Sequence, residues 1–429
     1  MAISIIDEPY AWALRGQKLM VIASSTETAQ NGFRYGIEVD IDGKLYNFYV
    51  PASPDDNLYF DLAPLLDDMR NYEPLGYHFS TTATQDDLSK HQVVVTLSEW
   101  WMVGGVLTEA EGSAVVLDEK LVVNGYFQVT DGYKPNVETG PQKVKQSLTN
   151  NTSLAMSDRK TDTHVFKLAQ TWGFGAVPNS TSTWIPAYET DYGLLCIPGN
   201  NGYLSNNDAL NMQINIFSST GVPASQIISL NGYDIEALPI YPANLNDWVG
   251  LTVKPSTTPN WRLYQVIIKN ATVNRSISYI FYNVAKYGLT DCHNDKIRLG
   301  WVNSRGGWDY FNFTKRSEFT DEIDRKTYRK VLFNGTTTVF NSNDRGLQDR
   351  RNLMQQVLSI TSDYISENEF TFLRSLLVSN QVTWLSTEGG TPVQIPVKLD
   401  DTNYTEKKTR DGKLYNLTLK VRIANEYWT

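Results

Sequence analysis

Residues Lys296 to Phe313 read KIRLGWVNSRGGWDYFNF, two short strand patterns bent around Arg305-Gly306-Gly307. Trp301, Trp308, Tyr310, Phe311 and Phe313 all fall in this stretch, and each such ring can bury roughly 150–250 Å². The Gly-Gly pair supplies the positive φ that a tight bend needs, so a β-hairpin pinned into a core or an interface is expected. The stretch carries no catalytic motif and no cluster of metal ligands. The most distinctive segment of the chain is therefore built for packing.

Composition extends that reading to the whole chain. Its 429 residues include 24 Tyr, 11 Trp, 28 Gly and 17 Pro, a balance that favours strands joined by tight turns over helices. A mainly β chain of several sandwich or barrel modules is expected, two to four of them at about 100–200 residues each. The net charge of −9 argues against specific nucleic-acid binding, which calls for a basic excess to neutralise phosphates. Cys196 and Cys292 are the only cysteines, too few for a disulfide framework or a thiolate zinc site, and both are expected to be buried thiols. The N-terminal MAISIIDEPYAWALRG lacks the basic head and apolar run of a secretory signal. No stretch of about 18 apolar residues suggests a membrane helix.

Taken in order, the chain first alternates strictly from Phe33 to Ile41, with Tyr35, Ile37 and Val39 on one face and Arg34, Glu38 and Asp40 on the other. That is the period of a half-buried strand. Asp42-Gly43 then signals a hairpin, with Lys44 to Val50 returning. Asp61 is placed to cap a short helix containing Leu62, Leu65, Leu66 and Met69, with Pro64 in its first turn. Strand patterns at Gly76–Ser80 and Gln92–Met102 complete a module over residues 1–105 that is expected to be immunoglobulin or fibronectin type III-like. Gly104-Gly105 marks its end. A middle β-rich domain is expected over 106–315, with a turn at Asn124-Gly125 and strands at Gln213–Phe217, Leu263–Ile268 and Ile277–Val284. Within it, 131–162 reads as a long loop, either a plain surface excursion or an arm onto a neighbouring subunit.

The last part, 316–429, is expected to be an antiparallel sheet with a helix. Ser366 and Glu369 form a capping box, flanked by a staple of Ile365 and Phe370. Phe370, Phe372, Leu373, Leu376 and Leu377 give the helix one broad apolar face. Strands follow at Val382–Ser386 and Val393–Leu399, and a final strand alternates Tyr415, Leu417, Leu419, Val421 and Ile423 inward.

Three segments together carry a likeness to a known group: the N-terminal hairpin leading to Tyr59-Phe60-Asp61-Leu62, the Gly300–Asn303 and Gly307–Phe313 pair, and Ser366–Leu377 with Pro392–Leu399 and Lys413–Ala424. In these the chain resembles virion structural proteins of tailed bacteriophages, of the type found in phages of Bacteroidetes and related aquatic bacteria. The likeness lies outside Asp131–Ala285. It implies a tail, collar or baseplate component that forms a symmetric oligomer with itself and other virion proteins, made in the host cytoplasm. It carries over no catalytic, cofactor or metal residue. Under that reading Trp301, Trp308, Tyr310 and Phe311, with Arg305 at the bend, are the expected contact patch, to be met by a second patch in the N-terminal module or the 131–162 loop. A capsid-decorating protein is a variant of the same reading.

Cys292-His293-Asn294-Asp295 groups potential ligands, but neighbours on a strand point to opposite faces, so no metal site is expected there. His78, His91 and His164 stand singly and read as structural. Trp172-Gly173-Phe174-Gly175 lacks the rest of a dinucleotide fingerprint. A glycosidase needs two carboxylates at a set separation, and Glu189 and Asp191 are weak candidates. Rings interleaved with Asn and Asp could also face a host surface glycan, since sugar faces stack on rings while hydroxyls bond amides. Lys315 to Arg351 holds nine Lys or Arg against six Asp or Glu, either a solvated face or the complement of an acidic partner surface.

Overall fold

The structure, a computed structural model, describes residues 3–9, 12–16, 18–67, 76–85, 90–126, 157–159, 182–198, 209–218, 223–233, 235–258, 260–270, 273–274, 276–287, 296–329, 347–386, 391–400, 416–424 and 427–428. The chain is mainly β, in several sheets. It divides into two compact units, Met1–Thr290 with Val302–Asp309, and Asp291–Trp301 with Tyr310–Thr429.

In the first unit a three-stranded sheet is centred on Met20–Ser25, between Ile3–Asp7 and Asn57–Asp61. A seven-stranded sheet runs Trp12–Gly16, Lys120–Tyr126, Lys90–Val103, Arg34–Ile41, Lys44–Pro51, with Val106–Glu109 and Val115–Val116 also on Lys90–Val103. Val21, Ala23 and Leu58 from the first share one core with Tyr35, Ile37, Val39, Val93 and Val95 from the second. The alternation read from Phe33 onward is what places those side chains on the inner face. Asp42 and Gly43, at φ 52° and 83°, make the left-handed two-residue turn that suits strand twist. The Tyr35 hydroxyl donates to the Asp56 carbonyl at 2.8 Å, and burial pushes its phenol up to about 12. Asp61 caps as expected, its Oδ1 accepting the N–H groups of Leu19 at 3.0 Å and Ala63 at 3.1 Å, ahead of the short helix Ala63–Asp67.

Three local readings are corrected. Gly76–Ser80 holds no strand: Tyr77–Phe79 is a single 3-10 turn entered through Gly76 at φ 84°. Gly104-Gly105 is the tight turn joining Lys90–Val103 to Val106–Glu109, not the end of a module. Asn124-Gly125 lies inside the strand Lys120–Tyr126. Its glycine answers a close approach, because a Cβ at position 125 would stand 2.6 Å from the Ser304 carbonyl oxygen.

A further six-stranded sheet runs Ser182–Ala187, Ser278–Asn283, Leu263–Asn270, Leu210–Phe217, Pro223–Ser229, with Val273–Asn274 beside Leu263–Asn270. A smaller sheet joins Leu194–Pro198, Ile235–Pro239 and Thr84–Gln85. Residues before and after the expected boundary at 105 are therefore interleaved. Lys120–Tyr126 sits in the sheet of Arg34–Ile41, and Thr84–Gln85 pairs with Ile235–Pro239. The buried Asn244 adds a tie: its Nδ2 donates to the carbonyls of His78 and Ser80, each at 2.9 Å, while its Oδ1 accepts from Gly193 N–H at 2.7 Å.

The second unit is one eight-stranded sheet with a helix. Its order is Trp308–Phe313, Ile297–Val302, Val382–Ser386, Val393–Leu399, Thr418–Ile423, Leu347–Thr361, Glu318–Arg329, with Tyr427–Trp428 also on Leu347–Thr361. The strands of the aromatic hairpin thus belong to the sheet that the sequence suggests begins only after 315. Glu367–Val378 is helical, started by the Ser366–Glu369 capping box. Phe370, Phe372, Leu373 and Leu376 pack with Leu299, Trp301, Leu358, Trp384, Leu419 and Val421 in a single cluster.

Candidate functional site: an aromatic hairpin and an exposed ribbon

The hairpin residues go inward. Trp301, Trp308, Tyr310 and Phe311 are 0, 3, 1 and 7% exposed. Trp301 donates its indole N–H to Ser375 Oγ at 2.9 Å and lies 5.1 Å from the Phe372 ring. Phe311 meets Phe313 edge-on at 5.1 Å. Tyr310 lies under the Arg298 guanidinium at 5.1 Å, which also reaches Asn312 Oδ1 at 2.9 Å. Trp308 stands edge-on to the His78 ring at 4.5 Å, in the first unit. A contact patch made of these four rings is corrected accordingly: the chain's own cores cover them, so they present no face to a second copy.

The bend of the hairpin is held by polar groups that sequence reading passed over. Asn303 is fully buried. Its Oδ1 accepts the N–H groups of Arg305 at 2.9 Å and Gly307 at 3.1 Å, and its Nδ2 donates to Asp309 Oδ2 at 2.8 Å. Asp309 also accepts from Ser157 Oγ at 2.6 Å and from Asp158 N–H at 2.9 Å. Asp158 in turn accepts from Ser304, through its N–H at 2.8 Å and its hydroxyl at 2.5 Å, and lies 3.9 Å from Arg305 Nε. Arg305, the half-buried member of the predicted set, is therefore the rim of a clamp. Burial, then the neighbouring Asp158 charge, pushes the Asp309 carboxyl above its ordinary range. Every carboxylate oxygen of the two acids faces a donor, so the pair fastens 157–159 to the hairpin and offers no lone base to a substrate. An acid set among four aromatic residues in Trp308–Phe313 was the one sequence signal for this cluster.

The charged stretch after the hairpin behaves oppositely. Glu318–Arg329 is an edge strand exposed at all twelve positions. It pairs antiparallel with Leu347–Thr361, and the register slips between Lys326 and Thr327. Thr418–Ile423 backs only Val357–Thr361, and Tyr427–Trp428 only Leu353 and Met354. Beyond those positions no described strand backs Leu347–Thr361, and the two strands run on as a ribbon. Phe319, Ile323 and Tyr328 are exposed on it, and Arg422 holds Glu322 at 3.0 Å near its base.

A scan against protein-family models found no match to the chain, and a search of curated proteins found none either.

The remaining candidates do not converge. Glu189 is exposed, whereas Asp191 is buried and holds a turn, its Oδ2 accepting from Tyr188 N–H at 3.0 Å. His91 Nδ1 lies 2.6 Å from Asp42 Oδ2, tying a strand to the turn beside it. Cys196 is buried. Among the described residues no three His, Cys, Asp or Glu side chains group as metal ligands, and no helix is long and apolar enough to cross a membrane. Cys292 to Asp295, His164, Trp172 to Gly175 and most of 131–162 lie outside the described residues.

Proposed function

We propose that the chain is a structural subunit of a tailed-phage virion, a tail or head-to-tail component that acts by joining copies of itself and neighbouring virion proteins rather than by catalysis. The observation that carries this reading is the edge strand Glu318–Arg329, exposed at all twelve positions and paired on one side only among the described residues. An edge of this length presents unpaired N–H and C=O groups that template further strands. A subunit of an assembly keeps such an edge for its neighbour. The enclosed Asp158–Asp309 clamp supports the same view, since the closest acid pair of the hairpin is committed to holding the chain together. The two N-terminal sheets around one core support an immunoglobulin or fibronectin type III-like module, a common building block for such contacts. Antibody against the chain, applied to intact phage particles, is expected to decorate the tail or collar. Label on the capsid surface would move the subunit to a decorating role, and particles without label would refute the reading.

A second reading has its own observation. Tyr59 is exposed, and its hydroxyl donates to Asp55 Oδ2 at 2.7 Å beside Asn57 Nδ2 at 2.9 Å. Hydrogen bonds from Ser53, Tyr59 and Asn57 hold the Asp55 carboxyl below its ordinary range. An open ring next to an amide and a carboxylate suits the apolar face and hydroxyls of a host surface glycan. Binding on a glycan array that Tyr59→Ala removes would establish a receptor-recognition role.

A further inference from the structure

The edge strand reads EFTDEIDRKTYR from Glu318 to Arg329, and its charges are sorted along its length. Glu318, Asp321, Glu322 and Asp324 come first; Arg325, Lys326 and Arg329 come last. The inner neighbour does not neutralise them. In register, Asp321 faces Gln356, Asp324 faces Leu353, Arg325 faces Asn352 and Lys326 faces Arg351. Glu318 pairs with Arg316, and Glu322 with Arg422. Asp321, Asp324, Arg325, Lys326 and Arg329 make no ion pair among the described residues.

Charges on an edge ordinarily repel a second strand. A strand that is acidic first and basic last repels only a parallel copy of itself. Turned antiparallel, each half meets its complement, and opposite charges placed across strands are attractive.

We propose that Glu318–Arg329 pairs antiparallel with the same strand of a second copy of this chain, merging two sheets into one across a twofold axis. An axis normal to the sheet keeps every side chain on its own face, so opposed residues must be of equal parity. The register centred on Ile323 meets that rule. It sets the two Ile323 side chains together at the axis and Asp321 opposite Arg325 on either side of them. Glu322 then faces Asp324, but the Arg422 guanidinium already holds the Glu322 charge. Main-chain hydrogen bonds along the edge supply affinity, and the charge order supplies orientation. This pairing rests on the assembly reading above, and it can fail while that reading stands.

Sedimentation of the full chain tests it. The wild type is expected to dimerise. Asp321→Lys with Asp324→Lys, and separately Arg325→Glu with Arg329→Glu, should each weaken self-association by about tenfold or more. Mixing the two variants in equal amounts should restore association, because position 321 of each variant then again opposes a position 325 of opposite charge in the other. Ile323→Cys should cross-link between copies on mild oxidation, whatever the charge variants do. An oligomer that both reversals leave unchanged would overturn the pairing and leave the assembly reading in place. A strict monomer at high concentration would overturn both. Variants that melt like the wild type but do not associate when mixed, or an Ile323→Cys chain that does not cross-link, would overturn the pairing alone.

Discussion

Lys296–Phe313 and the strand Glu318–Arg329 lie close together in the chain, yet one buries nearly everything and the other is exposed at all twelve positions. The difference lies in what flanks them. Ile297–Val302 has Trp308–Phe313 on one side and Val382–Ser386 on the other, and the Glu367–Val378 helix packs over its rings. Among the described residues Glu318–Arg329 has a neighbour on one side only, and that neighbour runs past the described strands behind it. Ring content marks where a chain folds onto itself, while sorted charge on an open edge marks where it can meet another.

Substitutions can break or sharpen that contrast. Trp301→Ala removes a fully buried indole and leaves the Ser375 hydroxyl without its donor, and is expected to cost about 3–5 kcal/mol in denaturant unfolding. An effect below about 1 kcal/mol would deny the hairpin its role as a core element. Gly125→Ala drives a Cβ against the Ser304 carbonyl and the Gly306 nitrogen, and should cost about 1–3 kcal/mol by the same measurement.

The clamp makes a prediction in pH. An acid whose folded pKa lies above its unfolded one binds its proton more readily when folded, so it favours the fold most at low pH. For Asp309 that contribution is fully present below about pH 3.8 and is withdrawn as pH rises to about 6. Asp309→Asn should flatten the stability profile across this window. It should also lower stability by about 1–3 kcal/mol at neutral pH, because one amide oxygen cannot accept from Ser157, Asp158 and Asn303 together. An unchanged slope would count against the enclosed acid. Smallest of all, Phe319→Ala on the ribbon should change the unfolding energy of the separated chain by less than about 0.5 kcal/mol. A loss comparable to that of Trp301→Ala would mean that the ribbon is core after all.

Much of the fold was legible because period-2 alternation needs no knowledge of partners. Tyr35, Ile37, Val39 and Ile41, and again Leu417, Leu419, Val421 and Ile423, are buried as that period requires. The Ser366–Glu369 box and the Asp61 cap are equally local, a side chain answering backbone groups within a few residues. What stayed hidden depends on distant segments. Asn124-Gly125 has the composition of a turn, and only the approach of Ser304 explains its place in a strand. Ser157 and Asp309 are 152 residues apart, and neither carries a mark of the other. The rings of the hairpin announce that they will be covered, but not by what. The basic excess over Lys315–Arg351 was visible as a count, whereas its order along one open strand acquires meaning only once the sheet is known.

Because the hairpin's bend, Val302–Asp309, belongs to the first unit and its flanks to the second, neither unit is one uninterrupted length of polypeptide. A recombination event that exchanged residues 1–290 for those of another gene would leave that piece without its own inserted loop.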